Sequence, residues 1–310
     1  MTDDFFISQQ VQFMYGNYFN DIINNNIISN EKSDYDIPVL NCFQDNNFNS
    51  KKDICSKNRL RDFIYLLKKY WKKEKDGYTI TCNWHDNTTY QKFILTHNRV
   101  YNSKSQVIFP LVDYHLPNCI KINNDIEFKS KTNKLFWRGS TTGSCDVQNN
   151  IRFNIVSKNA HAHPDIDVGF NNMCQRIYLN NKEEFIKLKK EHKNQSDQLL
   201  YKFILSMEGN DWASSFPWVL SSNSCPLHNY PFHHESYFFG MGLEPYVHFI
   251  PVNKDGSDLV EKFQWCLQNL DKCEEIANNG KKYMEKYQRT DLFEKVMLEF
   301  FNIYPKVHYY

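Results

Sequence analysis

The chain has 310 residues, which is enough for one large domain or for two domains of ordinary size. Its formal net charge is +1, so the composition indicates neither a nucleic-acid partner nor attraction to a charged membrane surface. Nine cysteines, an odd number without a CxxC pair, indicate reduced thiols and argue against a disulfide framework.

The sequence carries no sign of a secretory or membrane segment. Its first residues lack the basic and apolar regions of a signal peptide, and no apolar stretch approaches the roughly 20 residues that a membrane helix needs. We therefore expect a cytoplasmic protein without a membrane span.

Residues 1–125 predict a smaller N-terminal α/β unit. An amphipathic helix is expected over 59–75, where Leu60, Phe63, Ile64 and Leu67 recur at helical spacing. Short β-branched and aromatic runs then predict strands over 78–84, 92–96 and 106–112. A polar, charged segment, 122–132, has the composition of a linker.

Residues 133–290 predict a second α/β unit, because short apolar runs alternate with helical patterns. The expected strands are 135–138, 166–170, 201–207 and 246–252, with another apolar segment at 225–227. Helices are expected over 152–159, 182–195, 212–220, 259–270 and 271–286. A last helix over 290–303 is apolar enough to pack on the first unit, so we treat 291–310 as a C-terminal segment returning to it.

The turn after the strand 201–207 has the features of an anion site. Glu208, Gly209, Asn210 and Asp211 separate this strand from the predicted helix, whose free N–H groups and positive dipole end would point out of the sheet edge. Asn and Asp side chains can also cap such a helix. An ordinary capped helix in an α/β core is the alternative interpretation.

The order of motifs from Phe136 onward resembles family 90 glycosyltransferases. The motifs are FWRGSTTG (136–143), EGNDWAS (208–214), Trp218, SSNS (221–224), LEPYVHFIPV (243–252) and SDL (257–259). The resemblance covers about 134–290 well and the first 130 residues poorly. This family includes Rumi-type protein O-glucosyltransferases, fungal capsule-associated xylosyltransferases and bacterial LpsA-type enzymes that modify lipopolysaccharide.

The resemblance implies a GT-B fold, in which two Rossmann-like domains face each other across a cleft and a C-terminal helix crosses back. It also implies inverting, metal-independent transfer of glucose or xylose from a UDP-sugar to a hydroxyl of a glycan or protein. UDP-sugar would be a co-substrate, with no other cofactor and no metal ion. A catalytically silent relative that binds glycans or nucleotides is the alternative.

The resemblance also implies a nucleotide site. Arg138 and its neighbours Gly139, Ser140, Thr141 and Thr142 would meet the diphosphate, with Arg152 as a second cation. Each arginine could instead be structural, Arg138 paired with a surface carboxylate and Arg152 with Asp146 or Asp165. Glu208 would hold the ribose or cap the helix, and Glu235 would lie near the donor sugar or base. The turn and the helix start would supply further contacts, from Gly209, Asn210, Asp211, Ala213 and Ser214. Rumi-like members have arginine where this chain has Ser215, which leaves the site one charge short.

The general base is expected in the N-terminal half. Asp113, in FPLVDYHLP, is our candidate because it follows a predicted strand and resembles the family's Asp-aromatic context near a proline. Asp86, in CNWHDNT, is the rival, and an ordinary turn residue is the alternative for either. His161 and His163 suggest a metal site by spacing, but no third ligand has a compelling position.

Overall fold

The computed structural model describes residues 2–24, 26, 28–30, 36–39, 57–82, 93–101 and 106–309. The strands in this part of the chain are β1 (Ile28–Asn30), β2 (Asp36–Pro38), β3 (Thr79–Thr81), β4 (Leu95–Thr96), β5 (Asn98–Val100), β6 (Val107–Ile108), β7 (Thr132–Ser140), β8 (Ile166–Asn172), β9 (Tyr201–Ser206), β10 (Cys225–Tyr230), β11 (His234–Ser236), β12 (Ile250–Asn253) and β13 (Val307–Tyr309).

The helices vary from single turns to four turns. They are α1 (Asp3–Tyr15), α2 (Phe19–Ile23), α3 (Lys57–Tyr70), α4 (Val112–His115), α5 (Ile151–Asn159), α6 (Gln175–Asn180), α7 (Lys182–Lys187), α8 (Gln195–Gln198), α9 (Phe216–Leu220), α10 (Leu259–Gln268), α11 (Leu270–Met284) and α12 (Thr290–Ile303).

The internal contacts divide the chain into two compact units. Unit 1 comprises Met1–Cys119, His234–Gly242 and Lys286–Tyr310, and unit 2 comprises Ile120–His233 and Leu243–Glu285. The segment that we interpreted as a linker therefore belongs to unit 2. There Lys131 donates hydrogen bonds to Asp125 and to the carbonyl of Leu199, so these polar residues hold structure in place.

Unit 2 is built around a five-stranded sheet in which all neighbouring strands are parallel. The strand order is β12-β10-β9-β7-β8. Leu135, Trp137 and Phe203 lie on one face, in a core shared with the helices, and Phe136 and Ile204, which point to the opposite face, are also buried. Such two-sided burial is typical of a parallel sheet that helices cover, so the predicted α/β class is confirmed for this unit.

Unit 1 packs its long helices through aromatic side chains. The ring of Tyr15 on α1 stacks on Phe300 of α12 with centroids 4.5 Å apart, and the Tyr15 hydroxyl donates to the Phe300 carbonyl. Phe63 of α3 and Phe300 both contact the ring of Phe109. Among the described residues of this unit the strands form only two-stranded pairs, so no Rossmann-like sheet is seen there.

Several predicted boundaries were wrong for physical reasons. The charged run predicted as one helix over 182–195 forms only the short helix α7, and Leu188 then lies beside β8, where the Phe170 amide donates to its carbonyl. The strand predicted over 246–252 begins only at Ile250, because Tyr246 has a φ of 60° and its amide donates to the Phe249 carbonyl in a turn. The strand over 201–207 and the final helix were predicted well, whereas the apolar segment 225–227 is the start of a longer strand, β10, which continues to Tyr230.

Candidate functional site

The order in which the chain adds strands to the sheet of unit 2 reverses between β7 and β9. Numbered along the chain, its strands have the order 2-1-3-4-5, so the first and third strands are neighbours and the chain winds outward from both. Loops at the carboxyl ends of two such strands diverge to opposite faces and leave a crevice, which is where open α/β sheets bind ligands. The loops here are residues 140–143 after β7 and 207–211 after β9, called loop 1 and loop 2 below.

Arg152 joins these two loops. Its guanidinium donates to the Ser140 carbonyl at 3.0 Å and to the Thr142 hydroxyl at 2.7 Å in loop 1. On the other side it donates to the carbonyls of Met207 at 3.0 Å and Glu208 at 3.2 Å in loop 2. The side chain comes from the second position of α5, a helix that Asn150 caps by accepting a hydrogen bond from the Phe153 amide.

The positive charge of Arg152 is surrounded by neutral dipoles. In the described part of the chain no carboxylate lies within ion-pair distance of it, so the alternatives that paired it with Asp146 or Asp165 are wrong. Burial lowers the pKa of Arg152 to about 10, while the nearby charge of Asp211 acts in the opposite direction. The guanidinium therefore stays protonated at neutral pH and can attract an anion.

Gly209 makes room for this arrangement. A Cβ at this position would lie 2.5 Å from the Thr142 hydroxyl and 2.9 Å from the guanidinium carbon of Arg152. The two loops are also tied together by the Gly143 amide, which donates to the Asn210 side-chain oxygen at 3.0 Å. Asn210 thus cross-links the loops, and α9 begins only at Phe216 with no side chain capping it, so the predicted cap by Asn210 or Asp211 was wrong.

Arg138 lies on β7, the strand that leads into loop 1, but its guanidinium contacts a carboxylate outside the two loops. Its guanidinium donates to both carboxylate oxygens of Asp167, at 2.9 and 2.8 Å, and its side chain is only 4% exposed. Lys190 donates to the same carboxylate at 2.6 Å. Burial raises the pKa of Asp167, but the hydrogen bonds and the charges of Lys190 and Arg138 outweigh this effect and hold the pKa below its usual value. The geometry is that of the structural alternative, an arginine paired with a carboxylate.

The other loop 1 residues divide between the two faces of the strand. The hydroxyls of Ser140 and Thr142 both accept from Arg152, at 3.2 and 2.7 Å. Thr141 is buried and donates instead to the Cys174 carbonyl at 2.6 Å. Gly139 accommodates the ring of Trp137, which a Cβ would meet at 2.4 Å.

The side chain of Glu208, in loop 2, is buried and contacts the end of β10 and the residues that follow it. Its carboxylate accepts from the side-chain amide of Asn229 at 2.7 Å and from the backbone amide of His233 at 2.9 Å. The Glu208 amide in turn donates to the Asn229 side chain at 2.8 Å. Glu208 therefore does not cap α9, and it fixes the ends of β9 and β10 relative to each other.

The residues before α9 are arranged differently from the predicted helix start. Ala213 is buried, Ser214 is exposed, and Ser215 shares a short hydrogen bond with the Ser206 hydroxyl at the end of β9. The position where Rumi-like proteins carry arginine is therefore occupied by a hydroxyl that is tied to the sheet.

The sequence profile of glycosyl transferase family 90 matches residues 101–310. The chain belongs to this family. The O-glucosyltransferase LpsA of Dichelobacter nodosus is 30% identical over 185 residues, which are 57% of this chain and 52% of that protein. Protein O-glucosyltransferase 2 of Danio rerio is 24% identical over 164 residues, 53% of this chain and 31% of that protein. An uncharacterized protein, 035R, of Invertebrate iridescent virus 3 is 27% identical over 56% of this chain and 16% of that protein.

The chain thus spans about half the length of the first of these relatives and less of the other two. The matched residues contain the whole parallel sheet of unit 2 together with both loops at its switch point. The crevice therefore lies within the part of the chain that matches a family of glycosyltransferases.

Glu235 lies in unit 1 of this family 90 chain, within a buried ion pair. The Arg99 guanidinium donates to its carboxylate at 2.6 Å, and both side chains are almost fully buried. Arg99 also donates to the carbonyls of Gln106 and Phe13, so the pair joins β5, β11 and α1. This placement gives Glu235 a structural partner that the sequence did not indicate.

Asp113 lies on the short helix α4, five residues beyond the end of β6. The prediction that it directly follows a strand was wrong, because the chain turns at Leu111, whose amide donates to the His115 ring at 2.9 Å. The Asp113 side chain and the whole of Asp86 lie outside the described residues. The assignment of the general base therefore stays a prediction.

Two features are absent from the part of the chain that the structure describes. No cluster of three or more His, Cys, Asp or Glu side chains there is arranged to hold a metal ion. Likewise, none of the described helices combines the length and the apolar character required to cross a membrane.

Proposed function

We propose that this chain is an inverting, metal-independent glycosyltransferase that moves glucose or xylose from a UDP-sugar to a hydroxyl of a glycan or protein. The GT-B arrangement implied by the resemblance is part of this proposal, as is the assignment of Asp113 as general base. The cytoplasmic location predicted from the sequence remains a prediction.

The observation that carries the proposal is the protonated Arg152 at the switch point of the sheet. A nucleotide-sugar reaction without a metal ion needs a fixed positive charge where the diphosphate leaves, because negative charge grows there in the transition state. Arg152 is held by loop 1 and loop 2, and no carboxylate in the described residues lies within ion-pair distance of it, although the charge of Asp211 is nearby. We therefore assign Arg152 as the principal diphosphate contact and Arg138 as a residue that positions β7 through Asp167.

Two of the relatives support glucose as the donor sugar. Their names identify them as O-glucosyltransferases, and each matches more than half of this chain. Xylose remains the second donor in the proposal, because the sugar pocket depends on a few contacts that no motif determines.

The first test is a thermal-unfolding screen with nucleotides. UDP should raise the unfolding temperature, whereas ADP, GDP and CMP should not. A ligand at 100 times its dissociation constant stabilises the folded state by about 2.7 kcal/mol. The shift should persist in EDTA, and loss of UDP binding or of sugar transfer in EDTA would contradict the metal-independent mechanism.

The second test compares the two arginines. Arg152→Ala should abolish most UDP binding, because it removes the charge from the crevice, and Arg152→Lys should restore only part of it, since an ammonium cannot reach both loops. Arg138→Ala should mainly lower the unfolding temperature, because it removes one of the two cations that contact the partly buried Asp167 carboxylate and leaves only Lys190 beside it. If Arg138→Ala removes UDP binding and Arg152→Ala retains it, the first assignment from the sequence is right and the present one is wrong.

A catalytically silent binding protein is the second candidate, and Ser215 is the observation in its favour. Its hydroxyl is bonded to Ser206, so this position supplies no positive charge to the crevice. An enzyme should release UDP slowly from UDP-glucose in the absence of an acceptor, and this release should disappear in Arg152→Ala. A protein that binds UDP tightly and shows no release would favour the silent alternative.

A further inference from the structure

Unit 1 contains a groove that the proposed transfer reaction does not use. It lies between α1, α2, α12 and the residues that follow α3, and its volume is about 660 Å³. This is within the range of pockets that hold small organic molecules. Its wall includes Val11, which is buried, and two large apolar side chains that stay in contact with solvent, Ile23 at 51% and Leu298 at 39% exposure.

Lys73 is one of the residues that line this groove. Its Nζ donates to the Tyr304 carbonyl at 2.6 Å and lies over the rings of Tyr78 and Trp71, at 4.9 and 5.7 Å from their centroids. Within the described residues no carboxylate lies within ion-pair distance of it. Burial lowers the pKa of Lys73 to about 8, as expected for a cation without a counterion. An ammonium has three donors, so an anion could occupy the remaining ones.

The charged side chains of the described residues that line the groove do not balance. Among these residues three lysines, Lys72, Lys73 and Lys295, face two carboxylates, Asp4 and Glu299, which leaves one net positive charge. A singly charged anion would neutralise the lining, whereas a phosphate dianion would leave an excess of negative charge. The apolar side chains beside the lysines would be covered by a hydrocarbon chain attached to that anion.

We propose that this groove binds a single-chain amphiphile with a carboxylate head, such as a long-chain fatty acid. The carboxylate lies at Lys73 and the acyl chain covers Ile23 and Leu298. The ligand is recognised by a half-buried lysine that has no carboxylate partner among the described residues, together with an open apolar wall.

The test is titration of dodecanoate, below its micelle concentration, into the full chain by isothermal calorimetry. One equivalent should bind, and dodecanol and dodecylammonium should bind at least tenfold more weakly because they lack the negative charge. Decanoate should also bind roughly tenfold more weakly, since each methylene that leaves water contributes about a factor of four. Absence of dodecanoate binding, or equal binding of dodecylammonium, would overturn the proposal.

Substitutions in the groove distinguish this site from general detergent binding. Lys73→Met and Leu298→Glu should each weaken dodecanoate binding at least tenfold. Lys187→Met and Leu179→Glu change exposed residues of unit 2 and should leave it unchanged. Equal affinity in all four variants would refute the site. The same conclusion would follow if sedimentation showed a wild-type dimer that Leu298→Glu converts to a monomer, because the groove would then be covered by a second copy.

Discussion

Replacement of Gly209 by alanine tests the geometry of the crevice most directly. The backbone at Gly209 is not in the left-handed region, so alanine introduces no conformational strain and acts only through its Cβ. That atom would lie 2.9 Å from the guanidinium carbon of Arg152, where an ordinary carbon contact is about 3.5–4.0 Å. The arginine head must therefore move by roughly 0.6–1.1 Å.

Such a movement breaks hydrogen bonds that Arg152 makes with loop 2. Its bonds to the Met207 and Glu208 carbonyls, at 3.0 and 3.2 Å, would lengthen beyond hydrogen-bond distance. Each bond to a charged group contributes about 1.5–3 kcal/mol, so loss of one or two predicts a decrease of about 2–4 kcal/mol in the free energy of unfolding. UDP affinity should fall at least tenfold, because the charge no longer lies between the loops.

The assay is chemical unfolding and UDP calorimetry of four proteins: the wild type, Gly209→Ala, Arg152→Ala and the double variant. When Arg152 is already truncated, the Thr142 hydroxyl at 2.5 Å is no longer held by the guanidinium and can rotate away from the methyl group, so Gly209→Ala should have a smaller effect. If Gly209→Ala lowers the free energy of unfolding equally in the wild type and in Arg152→Ala, the two residues are not coupled and the reasoning is refuted.

Three further predictions concern the general base Asp113, the buried His228 and Glu208. Asp113→Asn should lower sugar transfer by about 10²–10⁴-fold at saturating donor and leave UDP binding intact; an inactive Asp86→Asn beside an active Asp113→Asn would move the base to Asp86. Burial lowers the pKa of His228 from 6.5 to about 4, so between these values the unfolded chain binds more protons. Urea titrations should therefore show a loss of about 2 kcal/mol from His228 between pH 7 and 5, with a smaller slope in His228→Phe. Glu208→Gln places an amide donor against Asn229 and should lower stability by about 1–3 kcal/mol; lower UDP affinity without lower stability would instead support a ribose contact.

The sequence by itself determined the α/β class and the location of the crevice. Alternating apolar runs and helical patterns are local signals, so the strand 201–206 and the helix 290–303 could be found from neighbouring residues alone. The glycine-containing turn after β9 was equally visible, because a strand that ends in Glu-Gly-Asn-Asp must turn there.

Only the tertiary structure decided what each charged residue contacts. Arg138 and Arg152 are alike in the sequence, but parallel pairing of β7 with β8 brings Asp167 to Arg138, while α5 carries Arg152 to the switch point. Glu235 meets Arg99, which is 136 residues away along the chain. Such pairings depend on strand register and on the direction in which helices return, and neither is encoded in the residues adjacent to the charge. For that reason the sequence could indicate two candidate arginines near the turn, while the contacts that each of them makes required the fold.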